Sequence, residues 1–342
     1  MVVVMKVGAT PQEIEAVEEM VRKAGGDTHV VSGSLRSIVA LVGDTERFLD
    51  LPLSTLQGVE TVQRIGKPYK LVARELHQAP TTVKVGNASI GRESFALIAG
   101  PCAVETPRQA MAAAVAAKAA GATILRGGAY KPRTSPYSFQ GLGKPGLEIL
   151  ADCREATGLP VMTEVIEARD VEHVAEVADA LQIGTRNSQN YALLSEAGRS
   201  GKPVLLKRGF SSTIEEWLMS AEYIAREGNS DIILCERGIR TFEPSTRNTL
   251  DLGGMIVAQN ESHLPVVVDP SHAAGRRDLV EPLARAALAA GADAVMIDVH
   301  DMPSEALCDG PQALLPDDLA RLGAELAKLA QDLGRPMAQP EG

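Results

Sequence analysis

Basic side chains recur just after short apolar runs in the larger, C-terminal part of the chain. Burying an arginine or lysine without a counter-charge is unfavourable, so a pocket that collects several of them requires a ligand with several anionic groups. Phosphate and carboxylate groups together are the natural candidates. The basic residues expected on this one face are Arg126, Lys131, Arg133, Arg186, Lys207, Arg208 and Arg237.

The same loops offer a thiol, an imidazole and two carboxylates, which are Cys102, His272, Asp298 and Asp309. Sulfur, nitrogen and carboxylate ligands together suit a divalent transition metal such as Zn²⁺, Mn²⁺ or Fe²⁺, and not Mg²⁺ or Ca²⁺ alone. Taken singly, each residue is explained as a small buried residue, a capping group or a turn. Their joint occurrence favours a site. Glu164 is either a structural partner of an arginine or part of that site.

Eight apolar runs without in-and-out alternation must position these side chains. Such runs are typical of a parallel sheet that is covered on both faces. Eight β/α units in roughly 240 residues match an α/β fold, the (β/α)8 TIM barrel, whose active site lies at the carboxyl ends of its strands. A doubly wound open sheet is the alternative, but no GxGxxG follows the first run. The runs are residues 95–99, 122–125, 161–165, 180–183, 204–206, 232–235, 266–268 and 294–297.

Helical periodicity appears after seven of these runs, and no helix is predicted between the sixth and the seventh. The predicted helices are residues 107–120, 146–157, 168–179, 189–197, 213–226, 279–290 and 316–333.

Residues 1–66 have a different pattern, the βαββαβ order of a ferredoxin-like domain. Thr10 and Pro11 are expected to begin its first helix. A second short helix is predicted at residues 45–51 and the last strand at residues 59–65. Residues 67–94 are predicted to be a linker with a hairpin around Gly86 and Asn87, and residues 95–342 the barrel.

Composition excludes several classes of protein. The chain has 342 residues, of which 45% are hydrophobic and 3% aromatic, so an aliphatic core for about two domains is expected. The formal net charge of −10 argues against a dedicated binder of nucleic acid or anionic membranes. No segment approaches the roughly 18 apolar residues of a membrane span. The four cysteines form no CxxC pair, so a cytoplasmic location is expected.

Six longer stretches of the C-terminal part are distinctive: GPCAVE (100–105), LRGGAYKPRTSPYSFQGLG (125–143), IGTRNSQN (183–190), LLKRGF (205–210), ILCERGIRTFE (233–243) and VDPSHAAGRRDLV (268–280). They closely resemble 3-deoxy-D-arabino-heptulosonate 7-phosphate (DAHP) synthases. The closest pattern is the short microbial subfamily with an N-terminal ferredoxin-like regulatory domain. The resemblance covers residues 95–330, and its motifs are long enough to be highly specific.

The resemblance implies condensation of phosphoenolpyruvate with erythrose 4-phosphate and release of phosphate, the first step of the shikimate pathway to the aromatic amino acids. Two small anionic substrates would explain the basic residues. By the family pattern, erythrose 4-phosphate would be bound by Arg133, Thr134 and Ser135. Phosphoenolpyruvate would be bound by Arg126, Lys131, Arg186, Lys207 and Arg237.

The resemblance also implies a divalent metal ion, Mn²⁺, Fe²⁺, Zn²⁺ or Co²⁺, that activates the aldehyde as a Lewis acid. Lys131 is a candidate proton donor, and Glu164 and His272 are candidates for steering water or protons. The expected metal ligands are Cys102, His272, Asp298 and Asp309.

One position departs from the family pattern. Where the family usually has Glu in the sequence Ile-Glu-Val-His, this chain has Asp298, whose carboxylate is retracted by about 1.5 Å. A shifted backbone, a bridging water and weaker metal binding are the three open consequences. Asp301, in place of the usual Pro, is an alternative ligand. Cys308, next to Asp309, could form a disulfide with Cys102.

The N-terminal domain has two interpretations. By resemblance it binds an aromatic amino acid, Tyr or Phe, as a feedback inhibitor between subunits of a homotetramer, with His29 and Ser32 as candidate contacts. Alternatively it is an oligomerisation or lid module without a ligand, because fold analogy does not determine function.

Two other functions are alternatives for the barrel. The sister 3-deoxy-octulosonate 8-phosphate synthase uses arabinose 5-phosphate, but it has Lys-Ala-Asn-Arg-Ser where this chain has Lys-Pro-Arg-Thr-Ser at residues 131–135. The other alternative is a catalytically silent barrel that acts as a regulator, against which the full set of basic residues and candidate ligands argues.

Overall fold

The computed structural model describes residues 1–32, 36–43, 45–63, 66–75, 77 and 79–340, with the backbone alone at residues 31, 32, 45 and 46. The chain divides into two units, Met1–Pro68 and Tyr69–Gly342. Within the described residues, no helix is long and apolar enough to cross a membrane.

The first unit is built on a four-stranded antiparallel sheet, as expected for a ferredoxin-like domain. Its elements are β1 (Val2–Met5), α1 (Pro11–Lys23), β2 (Asp27–Ser32), β3 (Ser37–Val42) and β4 (Val59–Gln63). The strand order is β2-β3-β1-β4. At the start of α1 the Thr10 side chain accepts from the Glu13 N–H, and the Glu13 carboxylate accepts from the Thr10 N–H. This capping box confirms the predicted helix start.

The short helical stretch predicted at residues 45–51 is confirmed only at Thr45–Phe48, and there as a 3-10 helix. Two 3-10 turns, Thr45–Phe48 and Leu53–Thr55, occupy this part of the chain. Pro52 separates them, because it lacks an N–H and disfavours a helical conformation in the residue before it. Phe48 and Leu53 still pack into the core of the unit. Residues 64 and 65, predicted as the end of the last strand, lie outside the described residues.

A hairpin precedes the barrel in the second unit, at the predicted place. It consists of β5 (Val83–Val85) and β6 (Ala88–Ile90). Its apolar side chains pack in one cluster with side chains from the barrel strands. A Cβ added at Gly86 would lie 2.8 Å from Pro160, which comes just before a barrel strand. The hairpin therefore covers the amino-terminal end of the barrel, and the carboxyl ends of the strands are left for a site.

Eight parallel strands, all of whose residues are buried, form the barrel. They are β7 (Ala96–Gly100), β8 (Ile124–Arg126), β9 (Val161–Val165), β10 (Ala180–Ile183), β11 (Val204–Lys207), β12 (Ile232–Glu236), β13 (Val266–Val268) and β14 (Ala294–Asp298). β14 pairs with β7, with Asp298 opposite Gly100. This pairing closes the sheet, confirms the TIM barrel and excludes the open doubly wound alternative.

Helices surround the barrel, and two of them were not predicted. They are α2 (Pro107–Ala119), α3 (Lys144–Thr157), α4 (Val171–Val177), α5 (Tyr191–Arg199), α6 (Ile214–Arg226), α7 (Leu252–Glu261), α8 (Pro270–Ala274), α9 (Arg277–Ala289) and α10 (Pro316–Asp332). The helix predicted at residues 168–179 begins as a 3-10 turn and ends at Val177. α7 was missed because Gly253 and Gly254 lower the helix propensity of its first turn.

Small residues let the helices approach closely, which explains the low aromatic content. Where α10 passes α2, a Cβ added at Gly323 would lie 2.1 Å from the carbonyl oxygen of Ala120. The buried face of α2 contains Ala110, Ala113 and Ala117. An aliphatic and alanine-rich core packs in this way without large rings.

Candidate active site

The carboxyl ends of the barrel strands surround one pocket, as the fold predicts. Six of the seven predicted basic residues line it, together with polar residues from other strands. The lining residues are Arg126, Lys131, Pro132, Arg133, Glu164, Gln182, Gly184, Thr185, Arg186, Lys207, Arg237, Arg247, His272, Cys308 and Asp309.

Two of the lining cations are buried against carboxylates of neighbouring strands. Arg126 at the end of β8 donates through Nη1 to Asp298 Oδ1 on β14. Lys207 at the end of β11 donates to Asp269 Oδ2 at 2.6 Å. Burial alone would lower the pKa of Arg126, but the charge of Asp298 raises it above its usual value. Both cations are therefore fixed in orientation by a buried carboxylate.

Lys131 and Glu164 face each other inside the pocket. Nζ of Lys131 lies 3.9 Å from Glu164 Oε2 and donates to the carbonyl oxygen of Cys102 at 3.1 Å. Burial alone would lower the pKa of Lys131, but its acidic neighbours Cys102 and Glu164 raise it. The absence of a side chain at Gly184 makes room for the carboxylate, because a Cβ there would lie 1.9 Å from Glu164 Oε1.

Arg186 and Arg237 form a cationic surface in the pocket, and neither makes an ion pair with a carboxylate among the described residues. Arg237 is only 3% exposed, and among the described residues nothing accepts a hydrogen bond from its Nε or Nη1. Burial lowers its pKa. Its guanidinium lies 5.0 Å from the ring centroid of Phe210, and that of Arg186 lies 5.6 Å from the same ring. Unpaired buried donors of this kind fit an anionic ligand.

Arg208, predicted as a pocket cation, belongs to a different environment. Its Nη1 lies 2.9 Å from Glu236 Oε2 and 2.8 Å from Asp251 Oδ2. Its guanidinium lies over the ring of Trp217 on α6, 5.8 Å from the centroid. Arg208 therefore ties the barrel to the helix layer and does not line the pocket.

The KPRTS segment follows β8 along the rim of the pocket. Arg133 lines the pocket and donates to the carbonyl oxygen of Phe139 at 3.4 Å. Thr134 is exposed and accepts from Nη2 of Arg186 at 3.1 Å. Ser135 is exposed and accepts from the Tyr137 N–H at 3.3 Å. Thr134 thus lies next to the Arg186 guanidinium, Arg133 lines the same pocket, and Ser135 lies farther along the loop.

The four candidate metal ligands converge around Cys102. Its thiol donates to Asp309 Oδ2 at 3.0 Å, and its Sγ lies 3.6 Å from His272 Nε2. Two overlapping sets each bring their ligand atoms within 4.8 Å of one another: Cys102 with His272 and Asp298, and Cys102 with Cys308 and Asp309. Thiolate, imidazole and carboxylate ligands fit a divalent transition metal.

Neighbouring groups shift the pKa values of two residues of this cluster, Cys102 and Asp309. The hydrogen bond with Cys308 and burial raise the pKa of the Cys102 thiol, so binding of a metal ion there would displace a proton. Burial alone would raise the pKa of Asp309, but the hydrogen bond and charge of His272 and the charge of Arg247 hold it well below its usual range. Asp309 is thus ready to ligate as a carboxylate.

Asp269, which the sequence analysis did not single out, orients His272. The Asp269 side chain caps α8 by accepting from the His272 N–H at 2.9 Å, and its Oδ2 lies 2.8 Å from His272 Nδ1. Nε2 is consequently the nitrogen that faces Cys102. A carboxylate behind a ligating histidine sets its tautomer and ring orientation in metal sites.

Asp298 lies in the cluster, whereas Asp301 does not. Asp298 Oδ2 accepts from Gln312 Nε2 at 2.7 Å and lies 3.6 Å from His272 Nδ1. Asp301 pairs with Arg108 at 2.5 Å on the outside of the site. Asp298 is therefore the carboxylate of β14 that a metal ion could reach.

The sulfur atoms of Cys102 and Cys308 lie 3.7 Å apart with both thiols free.

Both parts of the chain match models of one enzyme family. Residues 73–335 match the DAHP synthetase I family. This chain belongs to the DAHP synthetase I family. Residues 1–67 match the DAHP synthase ferredoxin-like domain. The activity of the chain is that of a DAHP synthase, EC 2.5.1.54, and its N-terminal unit is the regulatory ferredoxin-like domain of this family.

The chain is similar to relatives that carry two different names. Phospho-2-dehydro-3-deoxyheptonate aldolase of Thermotoga maritima is 50% identical over 334 residues, covering 98% of this chain and 99% of the relative. A crystal structure of the T. maritima DAHP synthase has a TM-score of 0.92 at 49% identity and covers 98% of both chains. The 2-dehydro-3-deoxyphosphooctonate aldolase of Geotalea uraniireducens is 35% identical over 261 residues, 70% of this chain and 94% of the relative.

In the regulatory domain, His29 is exposed on β2, at one edge of the sheet. The side chain of Ser32 lies outside the described residues, although its backbone ends β2. An exposed histidine on an edge strand is accessible to a ligand or a second chain.

Proposed function

We propose that the barrel pocket of this DAHP synthase binds phosphoenolpyruvate and erythrose 4-phosphate side by side and condenses them with release of phosphate. The observation that carries the proposal is the pair Arg186 and Arg237, the two guanidinium groups beside Phe210 that line the pocket and form no ion pair with a carboxylate in the described part of the chain. A substrate with both a phosphate and a carboxylate supplies the missing counter-charge.

Phosphoenolpyruvate is held by five cations in this proposal. Arg186 and Arg237 bind its anionic groups directly. The other three cations, Arg126, Lys131 and Lys207, lie near carboxylates that partly neutralise them. Their donors therefore point in fixed directions, and less reorganisation is needed when the substrate binds. The five residues are Arg126, Lys131, Arg186, Lys207 and Arg237.

The phosphate of erythrose 4-phosphate binds at the KPRTS segment. Arg133 supplies a positive charge at the pocket wall, and the hydroxyls of Thr134 and Ser135 supply hydrogen bonds from the rim. Thr134 accepts from Arg186 at 3.1 Å, so the two substrate sites are adjacent. This arrangement brings the aldehyde of the tetrose towards the enol of phosphoenolpyruvate.

Cys102, His272, Asp298 and Asp309 would hold a divalent transition metal, one of Mn²⁺, Fe²⁺, Zn²⁺ and Co²⁺, all of which accept this donor set. When bound, the ion supplies a Lewis acid next to the aldehyde oxygen. Asp269 keeps Nε2 of His272 directed at Cys102, and so it preserves the ligand set between turnovers.

Lys131 and Glu164 carry the proton steps in this proposal. C3 of phosphoenolpyruvate attacks C1 of the aldehyde, and Lys131 donates a proton to the oxygen that becomes a hydroxyl. Water then adds at C2, with Glu164 or His272 orienting it and taking one of its protons. The C–O bond to phosphate breaks as the C2 hydroxyl becomes a ketone, and the hydroxyl proton leaves with the phosphate. The 3.9 Å separation of Lys131 Nζ from Glu164 Oε2 places a proton donor beside a proton acceptor.

Consumption of phosphoenolpyruvate with two different aldoses tests this function. We expect rapid consumption with erythrose 4-phosphate, little with arabinose 5-phosphate, and loss of activity with a chelator that added Mn²⁺ or Zn²⁺ reverses. Faster turnover of arabinose 5-phosphate would assign the octulosonate reaction instead. Inactivity with both aldoses in the metal-loaded protein would favour a silent regulatory barrel.

The N-terminal unit, in our proposal, binds Tyr or Phe as a feedback inhibitor in a homotetramer, with His29 and Ser32 as contacts. The exposure of His29 on an edge strand supports this assignment. Inhibition by Tyr or Phe should be weaker in His29→Ala, while turnover without inhibitor is unchanged and sedimentation shows four subunits. If neither amino acid inhibits the wild-type enzyme, the unit has only a structural role.

A further inference from the structure

Arg247 lines the pocket, yet neither the sequence motifs nor the proposed substrate contacts include it. It lies in the segment between β12 and α7, and its backbone is attached to α8, which carries His272. The Arg247 N–H donates to the carbonyl oxygen of Ala274 at 3.0 Å. Its side-chain stem passes over Gly275, where an added Cβ would lie 2.6 Å from Arg247 Cβ. The position of Arg247 is thus tied to the helix of a candidate metal ligand.

The guanidinium of Arg247 holds one oxygen of Asp309. Nη1 donates to Asp309 Oδ1 at 2.8 Å, and Oδ2 of the same carboxylate points to Cys102 Sγ at 3.0 Å and His272 Nε2 at 3.5 Å. The two oxygens of the Asp309 carboxylate therefore have different partners. Oδ1 accepts a hydrogen bond from Arg247, and Oδ2 faces the ligand cluster.

Asp309 needs such support because of its backbone. Its φ of 56° makes it the only non-glycine residue with positive φ among the described residues. This left-handed conformation is uncommon for a residue with a side chain and persists only where surrounding contacts hold it. Arg247 is the cation that pairs with it, and Gly310 follows directly in a 3-10 turn.

The contacts of Arg247 extend to the second carboxylate of the cluster. Nη1 also donates to Gln312 Oε1 at 3.0 Å, and Gln312 Nε2 donates to Asp298 Oδ2 at 2.7 Å. Asp298 is in turn paired with Arg126 through its other oxygen. One hydrogen-bonded chain therefore joins Arg247 to both carboxylates that could ligate an ion.

We propose that Arg247 is a positioning residue of the metal site, which fixes Asp309 directly and Asp298 through Gln312 so that both carboxylates converge on Cys102 and His272. The inference rests on the metal site of the proposed function. Arg247 touches no reacting atom in this role. Its removal leaves the four ligands in the chain but frees Asp309 to turn away from the cluster.

Co²⁺ binding to the chelator-treated full-length protein tests the inference, because a thiolate ligand gives bound Co²⁺ a charge-transfer absorption that does not depend on turnover. We expect Arg247→Met to bind Co²⁺ about 10- to 100-fold more weakly than wild type, the range found for residues that orient metal ligands. Arg247→Lys, which keeps the charge but not the fork of donors, should fall between the two. Gln312→Leu should cause a smaller loss, since Asp309 keeps its bond to Arg247.

Arg240→Met is the matched control, because Arg240 is an exposed arginine of the same segment whose guanidinium lies over Phe210, 4.7 Å from the ring centroid. Its Co²⁺ affinity should equal that of the wild type. Equal Co²⁺ affinity of Arg247→Met and wild type, with a raised KM for erythrose 4-phosphate, would overturn the inference and make Arg247 a substrate contact. Failure of the wild type to consume phosphoenolpyruvate with either aldose would instead contradict the proposed function. Thermal unfolding of each variant shows whether it is folded.

Discussion

Two neighbouring barrel strands end in the same Arg-Gly pair, and the two arginines have different environments. Arg208, after β11, lies within 2.9 Å of Glu236 and 2.8 Å of Asp251. Arg237, after β12, faces the pocket with Nε and Nη1 unpaired among the described residues. Both are almost fully buried, at 5% and 3% exposure. Burial alone therefore does not distinguish a structural arginine from a ligand-binding one, whereas counter-charge does.

The alternation of side chains along a strand explains the difference. Lys207 of β11 lies opposite Cys235 of β12. The next residue, Arg208, therefore lies beside Glu236 on the outer side of the barrel. Arg237 is one residue further along β12 and points to the other side, into the pocket. A shift of one residue moves a side chain to the opposite face of a sheet.

Arg208→Met should have the largest effect on stability. Removing the arginine leaves Glu236 buried without its cation, and breaking a buried pair in this way costs about 3–5 kcal/mol. Denaturant unfolding measures the loss. Combining it with Glu236→Gln should recover part of the stability, because the unpaired charge is then gone. An unchanged midpoint in Arg208→Met would mean that the pair is not a structural contact.

Arg237→Met should lower activity and not stability, in contrast to Arg208→Met. We expect kcat/KM for phosphoenolpyruvate to fall about 100-fold, as for other removed anion-binding donors. The free energy of unfolding should not fall, because the substitution removes a buried cation that forms no ion pair with a carboxylate among the described residues. Steady-state kinetics with Arg240→Met as control measures the first effect. A loss of stability comparable to that of Arg208→Met would abolish the distinction between the two arginines.

Phosphoenolpyruvate should stabilise the folded enzyme through the unpaired guanidinium groups. At ten times its dissociation constant, a ligand that binds only the folded state adds about 1.4 kcal/mol. The resulting rise in thermal unfolding temperature should appear in the wild type and in Arg240→Met. At the same concentration it should be nearly absent in Arg237→Met. An equal rise in all three proteins would place the substrate away from Arg237.

Much of the fold could be predicted because apolar runs report burial directly. The runs at residues 161–165, 180–183 and 266–268 coincide with β9, β10 and β13. α7 escaped prediction because its helix is stabilised by packing of Met255 and Ala258 and by the Asp251 cap, whereas two glycines weaken its local signal. Pro52 explains why the second helix of the N-terminal domain became two 3-10 turns.

The sequence could predict which residues belong to the candidate site, but not which contacts connect them. The positions of Cys102, His272, Asp298 and Asp309 after the apolar runs identified them as candidate ligands, and the structure brings them together. The roles of Asp269, Arg247 and Gln312 could not be read from the sequence, because each depends on a contact between distant loops. Asp269 was visible only as part of the segment before His272, and no spacing rule connects residue 247 with residue 309.

The sequence by itself determined a barrel with polar residues after its strands, a ferredoxin-like unit before it, and the DAHP synthase family. Only the tertiary structure decided which buried cations have partners within the chain and which do not. Periodicity and motifs encode local conformation and burial. The register of two strands, in contrast, determines that Arg208 pairs with Glu236 and that Arg237 is unpaired at Nε and Nη1 among the described residues. Electrostatic pairing is a property of neighbours in space, and the pairing of β11 with β12 creates those neighbours.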